Sequence, residues 1–195
     1  MENIITNTKD IKRSIKQIIS YIGENPERKG LKDTPDRIIR MFKEIFKGYD
    51  ETKKPKITTF ENKDKITNII FDKGDYYSMC EHHILPFFGQ YYFAYIPQKN
   101  GRILGISKVA RVVDYCSSKL QLQERLAIEI VEMILKALNH DVQGIAIVMK
   151  GKHLCKSMRG IKNDGNMSVS YFVGDFNTNE DLKKEFYKLI DLNRL

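Results

Sequence analysis

The sequence contains no tryptophan, and it has little of several features that mark specialised classes of protein. Its three cysteines, an odd number, exclude a complete disulfide framework and favour free thiols or metal ligands. Its longest apolar runs, such as Tyr91–Ile96, have about six residues, whereas a membrane-spanning helix needs roughly 18. Residues 1–17 lack the apolar core of a signal peptide. We therefore expect a cytoplasmic protein with no membrane partner.

The charge pattern lacks a polybasic tract. The chain has 33 basic and 25 acidic side chains, a net charge of +8, in 195 residues of ordinary globular composition. Residues 102–162 hold 11 basic and 5 acidic side chains, but the basic ones are interspersed with apolar residues. A dispersed cluster favours a compact polyanion, such as a nucleotide triphosphate, over a nucleic acid. A merely solvated basic face is the alternative.

Apolar spacing divides the chain into a helical N-terminal region and a main domain. Isoleucines recur at helical spacing over residues 9–23, and Thr34-Pro35 begins a second predicted helix. The segment 50–56 is polar and contains a proline. We therefore place the domain boundary there, with an N-terminal helical region at 1–56 and the main domain at 57–195.

In the main domain, predicted strands and helices come in runs. Segments rich in β-branched and aromatic residues predict strands, and apolar residues at helical spacing predict two long helices and a C-terminal helix. The predicted strands are residues 65–72, 90–97, 142–150 and 167–173. The predicted helices start at Ser107, near Leu122 and at Asn179. Such grouping indicates an α+β fold in which the helix pair covers an antiparallel sheet.

The densest chemical signal is Cys80-Glu81-His82-His83, and a second cluster, His153-Leu154-Cys155, follows about 70 residues later. Each cluster adjoins a predicted strand, and cysteine and histidine are the usual zinc ligands. A catalytic zinc takes three protein ligands and a structural zinc four. The five cysteine and histidine side chains of the two clusters therefore leave the ligand set open. Partly buried polar residues with packing partners are the alternative. The third cysteine, Cys116, shares a helix face with valines, which predicts core packing.

A second group of residues has the character of an anion site. If Ser107 caps a helix, Lys108 and Arg111 lie on its first turn, beside free N–H groups and the positive end of the helix dipole. Lys156 and Arg159 follow the second Cys/His cluster and add positive charge. A capped surface helix with two solvated cations is the alternative.

Five stretches in a fixed order make the sequence resemble the GTP cyclohydrolase I family. The resemblance covers nearly the whole chain, from about residue 10 to the C-terminus, and CEHH, GxSK, QxQER and HxCxxxRG are specific in combination. The stretches are Thr34–Arg37, Cys80–His83, Gly105–Lys108 with Arg111, Gln121–Arg125, and His153–Cys155 with Met158–Gly160.

The resemblance implies a zinc enzyme that hydrolyses GTP to 7,8-dihydroneopterin triphosphate and formate, the first step of pterin and tetrahydrofolate biosynthesis. In such an enzyme zinc-activated water attacks guanine C8, with histidine acid/base help. Carried over by position, the resemblance implies zinc ligands, proton-transfer histidines, guanine-pocket residues, and ribose and triphosphate contacts. The implied zinc ligands are Cys80, His83 and Cys155, and the implied proton-transfer histidines are His82 and His153. The implied guanine-pocket residues are Glu124 and Gln123. The implied ribose and triphosphate contacts are Ser107, Lys108, Arg111, Arg159 and Arg37.

The resemblance also implies an assembly. The family has the tunnelling fold and forms homodecamers of two pentamers with active sites shared between subunits. GTP and further copies of the chain are therefore the expected partners, and nucleic acid is not. The segment 164–171 departs from the family, since it has only Ser168 and Ser170 where a Ser/Thr-rich strand is usual. Two other functions stay open: a same-fold nitrile reductase of the queuosine pathway using a nicotinamide cofactor, and a non-enzymatic, zinc-stabilised module that binds nucleic acid.

Overall fold

The computed structural model describes residues 7–193, which form two compact units that divide between Lys47 and Gly48. No helix within the described range is long and apolar enough to cross a membrane. The domain boundary after residue 56 stays a prediction.

The first unit contains two helices, α1 (Thr8–Tyr21) and α2 (Thr34–Ile45). Gly23, at φ +91°, follows the end of α1, as expected for a residue that terminates a helix. Pro35 lies in the first turn of α2, where its missing N–H has no intrahelical acceptor. Asp33 occupies the capping position, one residue before the expected Thr34. Both predicted helices are therefore present.

Among the described residues, the second unit combines seven strands with five α-helices. The strands are β1 (Thr59–Glu61), β2 (Ile70–Cys80), β3 (Pro86–Pro97), β4 (Arg102–Leu104), β5 (Leu120–Gln121), β6 (Val142–His153) and β7 (Met167–Gly174). The helices are α3 (Lys108–Ser117), α4 (Gln123–Ala137), α5 (Leu154–Ser157), α6 (Asp175–Thr178) and α7 (Glu180–Leu192). Single 3₁₀ turns at Lys47–Tyr49 and Glu51–Lys53 precede them. The α+β class is confirmed.

Five strands form one sheet in the order β5-β2-β3-β6-β7, antiparallel except for the short pairing of β5 with β2. β1 and β4 form a separate antiparallel pair. Within residues 7–193, β7 has no strand on its outer side, and β5 pairs only with Met79 and Cys80 of β2. Two stretches of sheet edge are therefore available for pairing with another chain.

Strand β2 differs most from its prediction. The sequence predicts a strand over 65–72, whereas β2 starts at Ile70 and runs to Cys80. Charged residues on its exposed face interrupt the apolar run that sequence reading depends on. The alternation of a half-buried strand is nevertheless present, because Tyr76 is buried whereas Tyr77 is 72% exposed. Its last residue, Cys80, lies on the buried face.

Helices α3 and α4 pack against each other and on one face of the sheet, α3 on β2 and α4 on β6 and β7. Leu126, Ile130 and Ile134 of α4 are fully buried, and each contributes about 1.5–3 kcal/mol by leaving water. Cys116 of α3 is fully buried in the same core, as predicted, and burial raises the pKa of its thiol to about 12. Phe186 of α7 packs on the opposite face of the sheet.

Candidate functional site

The first Cys/His cluster lies in the turn between β2 and β3. The N–H of Cys80 donates to the carbonyl of Leu85 at 2.8 Å, and the carbonyl of Cys80 accepts from the N–H of Ile84 at 2.8 Å. Ile84 has φ +52°, in the left-handed region that a β-branched residue rarely adopts. This tight turn brings His83 back beside Cys80.

The second cluster lies where β6 ends. His153, the last residue of β6, pairs in register with Phe87 of β3, just after the β2–β3 turn. Cys155 lies on the single turn of α5 that follows. The sulfurs of Cys80 and Cys155 and a ring nitrogen of His83 lie within 4.8 Å of one another. The sheet register thus joins two distant segments into one group, here called the Cys–His–Cys group (Cys80, His83 and Cys155).

The donor atoms of the Cys–His–Cys group fit zinc. Two thiolates and one imidazole are typical zinc ligands, and three protein ligands leave one tetrahedral position for water or substrate. Burial raises the pKa of the Cys155 thiol, and its hydrogen bond with Cys80 raises that pKa further. Because a metal ion binds the thiolates, metal uptake at this group must release protons.

His153 is held beside this group from two directions. Its ring stacks on Phe87, with ring centroids 4.6 Å apart and ring planes 6° from parallel. Its Nε2 lies 2.7 Å from Oε1 of Gln123, the first residue of α4. Burial lowers the pKa of His153, and the negative charge of Glu124 partly opposes this. Burial therefore favours the neutral ring.

The remaining predicted residues near the group lie on its exposed side. His82 is exposed, and its Nδ1 lies 4.0 Å from the sulfur of Cys80. Arg159 donates from Nη1 to Nε2 of His83 at 3.1 Å. Glu124 is exposed on the first turn of α4. The predicted site residues at this end of the sheet are therefore Cys80, His82, His83, Gln123, Glu124, His153, Cys155 and Arg159.

Ser107, Lys108 and Arg111 do not join them. These residues form the start of α3, and a cavity of about 70 Å³ is bordered by the loop before α3 and by Asp72, near the beginning of β2. Eight residue steps of strand β2 separate Asp72 from Cys80, a length of about 25 Å at the usual rise per residue. A single chain therefore places Ser107, Lys108 and Arg111 toward the opposite end of β2 from the Cys–His–Cys group, whereas Arg159 lies beside that group.

The start of α3 has the composition of an anion site. Ser107 is at the N-cap, but its side chain makes no capping hydrogen bond. Within residues 7–193, neither Lys108 nor Arg111 forms an ion pair. Arg37 lies on α2 of the first unit and is exposed, and its contribution to the site stays a prediction.

A larger cavity, of about 500 Å³, opens on the face of the sheet opposite α3 and α4. Lys150, Ser168 and Ser170 border it on the strands, and Tyr187 borders it on α7. Both serines of the divergent segment 164–171 therefore face away from the Cys–His–Cys group.

Two contacts at the site were not predicted from the sequence. One is the stacking of Phe87 on His153, which depends on the pairing of β3 with β6. The other is an ion pair at 2.7 Å between Arg125 of α4 and Glu81 of the β2–β3 turn. Both residues of that pair stand inside the recognised stretches, but no local pattern indicates that they meet.

Comparisons with known proteins match nearly the whole chain. The sequence profile of the family described as GTP cyclohydrolase I matches residues 11–191. A protein named GTP cyclohydrolase 1 from Caldanaerobacter subterraneus subsp. tengcongensis is 45% identical over 185 residues, covering 94% of this chain and 97% of its own. A protein of the same name from Streptococcus sanguinis is 41% identical, covering 94% of this chain and 98% of its own. The apo crystal structure of an archaeosine synthase, QueF-Like, covers 54% of this chain and 93% of its own at 21% identity, with a TM-score of 0.41, too low to support an argument.

Proposed function

The chain belongs to the GTP cyclohydrolase I family, and from this premise we propose that it hydrolyses GTP to 7,8-dihydroneopterin triphosphate and formate. The observation that carries the proposal is the meeting of Cys80, His83 and Cys155, with His153 held beside them. A metal group and a histidine in one place suit a hydrolysis in which water attacks a ring carbon while a proton is delivered to the same ring.

Cys80, His83 and Cys155 would hold a zinc ion. When bound, zinc supplies Lewis acidity that makes water nucleophilic near neutral pH. That chemistry is needed because guanine C8 is a poor electrophile and free water a poor nucleophile.

His153 and His82 move the protons. Protonation of guanine N7 makes C8 electrophilic, and the release of formate and closure of the pterin ring require further proton transfers. Histidine suits these steps because its ordinary pKa is the closest to neutrality of any side chain. Burial lowers the pKa of His153, which favours the neutral ring that can take up and pass on a proton, and His82 lies on the exposed side of the group.

Glu124 selects guanine. Its carboxylate accepts hydrogen bonds from N1–H and the 2-amino group, a pair of donors that adenine lacks. A site that depends on paired hydrogen bonds discriminates against a base that leaves the carboxylate of Glu124 unpaired.

A neighbouring subunit completes the site. Asp72, which borders the cavity beside the start of α3, lies about 25 Å along β2 from Cys80, farther than one GTP reaches. A second copy supplies its Ser107, Lys108 and Arg111 to the triphosphate, and Arg159 and Arg37 add charge. The open edges of β2 and β7 support pairing between copies. The assembly is a homodecamer of two pentamers. Each subunit has the tunnelling fold, in which helices α3 and α4 cover one face of the sheet.

A product assay tests the activity. Zinc-loaded protein is incubated with GTP, and formate and the fluorescent oxidised pterin are measured with and without a chelator. We expect the two products in equal amounts, loss of both on chelation, and recovery when zinc is restored. ATP serves as the control substrate and gives neither product. Zinc-loaded protein that forms no product from GTP would refute the proposal.

Two further measurements separate the other functions. Oxidation of NADPH in the presence of a deazaguanine nitrile indicates the reductase, and tight, salt-dependent oligonucleotide binding indicates the nucleic-acid module. We expect neither.

A further inference from the structure

Gln123 is a buried polar residue whose amide is engaged on both sides. It is 1% exposed. Its Nε2 donates to the backbone carbonyls of Met149 on β6, at 2.8 Å, and of Met167 on β7, at 3.3 Å. Its Oε1 lies 2.7 Å from Nε2 of His153. The side chain therefore joins α4, two strands and a candidate catalytic histidine.

The two carbonyl partners fix which way the amide points. A carbonyl oxygen only accepts hydrogen bonds, so the NH₂ group of Gln123 must face Met149 and Met167. Its oxygen then faces His153, and an amide oxygen also only accepts. Nε2 of His153 must therefore carry the hydrogen, and in the neutral ring Nδ1 is left with the free lone pair.

The surroundings leave the pair little freedom. Phe87 stacks on the face of the His153 ring, so rotation of the ring loses that contact. Gly151 lies on the other side of the amide: a Cβ there would collide with the hydroxyl of Tyr76 and come within 3.0 Å of Gln123 Oε1. Side-chain rotamers held in this way keep a catalytic group in one orientation.

We propose that Gln123 is a positioning residue that holds His153 in one orientation, as the Nε2–H tautomer with the lone pair on Nδ1. The family resemblance implies a place for Gln123 in the guanine pocket. Both N–H donors of the amide are engaged by backbone carbonyls and its oxygen faces His153, so we assign recognition of the guanine edge to Glu124. The kinetic consequence rests on the proposed function, whereas the tautomer is a property of the protein alone.

The tautomer is measured directly by magic-angle-spinning NMR of the zinc-loaded protein labelled with [¹⁵N]histidine. The chain has four histidines, so the spectrum has few signals, and a His153→Ala variant assigns the one of interest. We expect a protonated Nε2 and an unprotonated Nδ1 in the wild-type protein. A protonated Nδ1 on neutral His153 overturns the proposal, whether or not the protein turns over GTP.

A pair of variants tests the consequence. Gln123→Met keeps the volume and removes both halves of the amide. The control is Gln121→Met, since Gln121 is a second buried glutamine on the same segment that bonds to Cys116 and Glu129 rather than to His153. Zinc content and melting temperature report on folding, so the two variants are compared at equal zinc occupancy.

We expect Gln123→Met to lower kcat about 10- to 100-fold, the range for groups that orient an active-site ligand, with KM changed less than about threefold. The His153 signals of this variant become a mixture of tautomers, and those of Gln121→Met stay as in the wild type. A raised KM with unchanged kcat means that Gln123 binds guanine and overturns the proposal. Equal effects of the two variants on kcat also overturn it, because they indicate a general packing role.

Discussion

The two ends of strand β2 are built differently. At its last residue, the donor atoms of the Cys–His–Cys group lie within 4.8 Å of one another, and His153, two residues from Cys155, contacts Gln123 at 2.7 Å. Near its first residues, Lys108 and Arg111 stand on the start of α3, without an ion pair in the described range. The side chains at the Cys80 end are therefore held by contacts within the chain. Those at the start of α3 carry positive charge that no acidic side chain of the described range neutralises through an ion pair. A chain with this division suits a site that forms only when two copies meet.

The largest effect is expected at the organised end. Cys155→Ala removes one of three metal ligands, so we expect the zinc content to fall to background and product formation to drop more than about 100-fold, beyond the range for outer-shell changes. Arg111→Ala, at the other end, should keep full zinc while weakening GTP binding. His82→Ala should abolish turnover and also keep zinc. Zinc is measured by atomic absorption, and a Cys155→Ala protein that retains stoichiometric zinc contradicts the ligand assignment.

The second prediction asks whether the two ends belong to one site or to two chains. Cys155→Ala and the double variant Lys108→Ala/Arg111→Ala are each expected to be inactive. Co-expressed in one oligomer, they should recover roughly a quarter of the wild-type rate, since about one random neighbour pairing in four has both ends intact.

The control for this experiment mixes Cys155→Ala with Cys80→Ala, which damage the same end and should not rescue each other. If the first mixture also stays inactive although mass spectrometry shows mixed oligomers, each chain uses its own α3, and the shared site is wrong.

The difference between the two ends also explains what the sequence could and could not predict. Residue type narrows the candidate ligands to five cysteine and histidine side chains, because a metal demands particular donor atoms, and the family resemblance singles out Cys80, His83 and Cys155. The structure brings these three donor atoms together, and their role as ligands stays a prediction. Lys108 and Arg111 match the same family site by position, but a sequence does not show how far apart two motifs lie on a sheet. Estimating that distance requires the first and last residues of β2. The sequence does not predict them, because charged residues on the exposed face of β2 interrupt its apolar pattern.

Gln123 shows a second limit. Its partners are backbone carbonyls of Met149 and Met167, and their positions depend on how β6 and β7 are paired with α4 above them. No side-chain pattern encodes a backbone acceptor. The helices were easier to predict, because the apolar period of α4 is continuous and local.

The third prediction compares the cysteines. Cys116 lies on the buried face of α3, and burial raises the pKa of its thiol to about 12, so almost none of it is thiolate at pH 8 and alkylation should be negligible. Cys80 and Cys155 should be protected by zinc and become reactive when the metal is chelated. Iodoacetamide labelling read by mass spectrometry should therefore give no adduct with zinc and up to two without it. Labelling of Cys116 in the folded, zinc-free protein contradicts the burial of this thiol.

The smallest effect concerns the ion pair between Glu81 and Arg125, which links the β2–β3 turn to α4. The side chains are 28% and 49% exposed, so Glu81→Gln should cost no more than about 1 kcal/mol. With zinc bound, Cys80 and His83 already fix the turn, and the loss should be smaller than in the zinc-free protein. The control is Asp36→Asn, which breaks the exposed Lys12–Asp36 pair of the first unit and should respond equally with and without zinc. Melting temperatures of both variants in both metal states test this: equal losses for Glu81→Gln with and without zinc would mean that the contribution of this pair is independent of the metal.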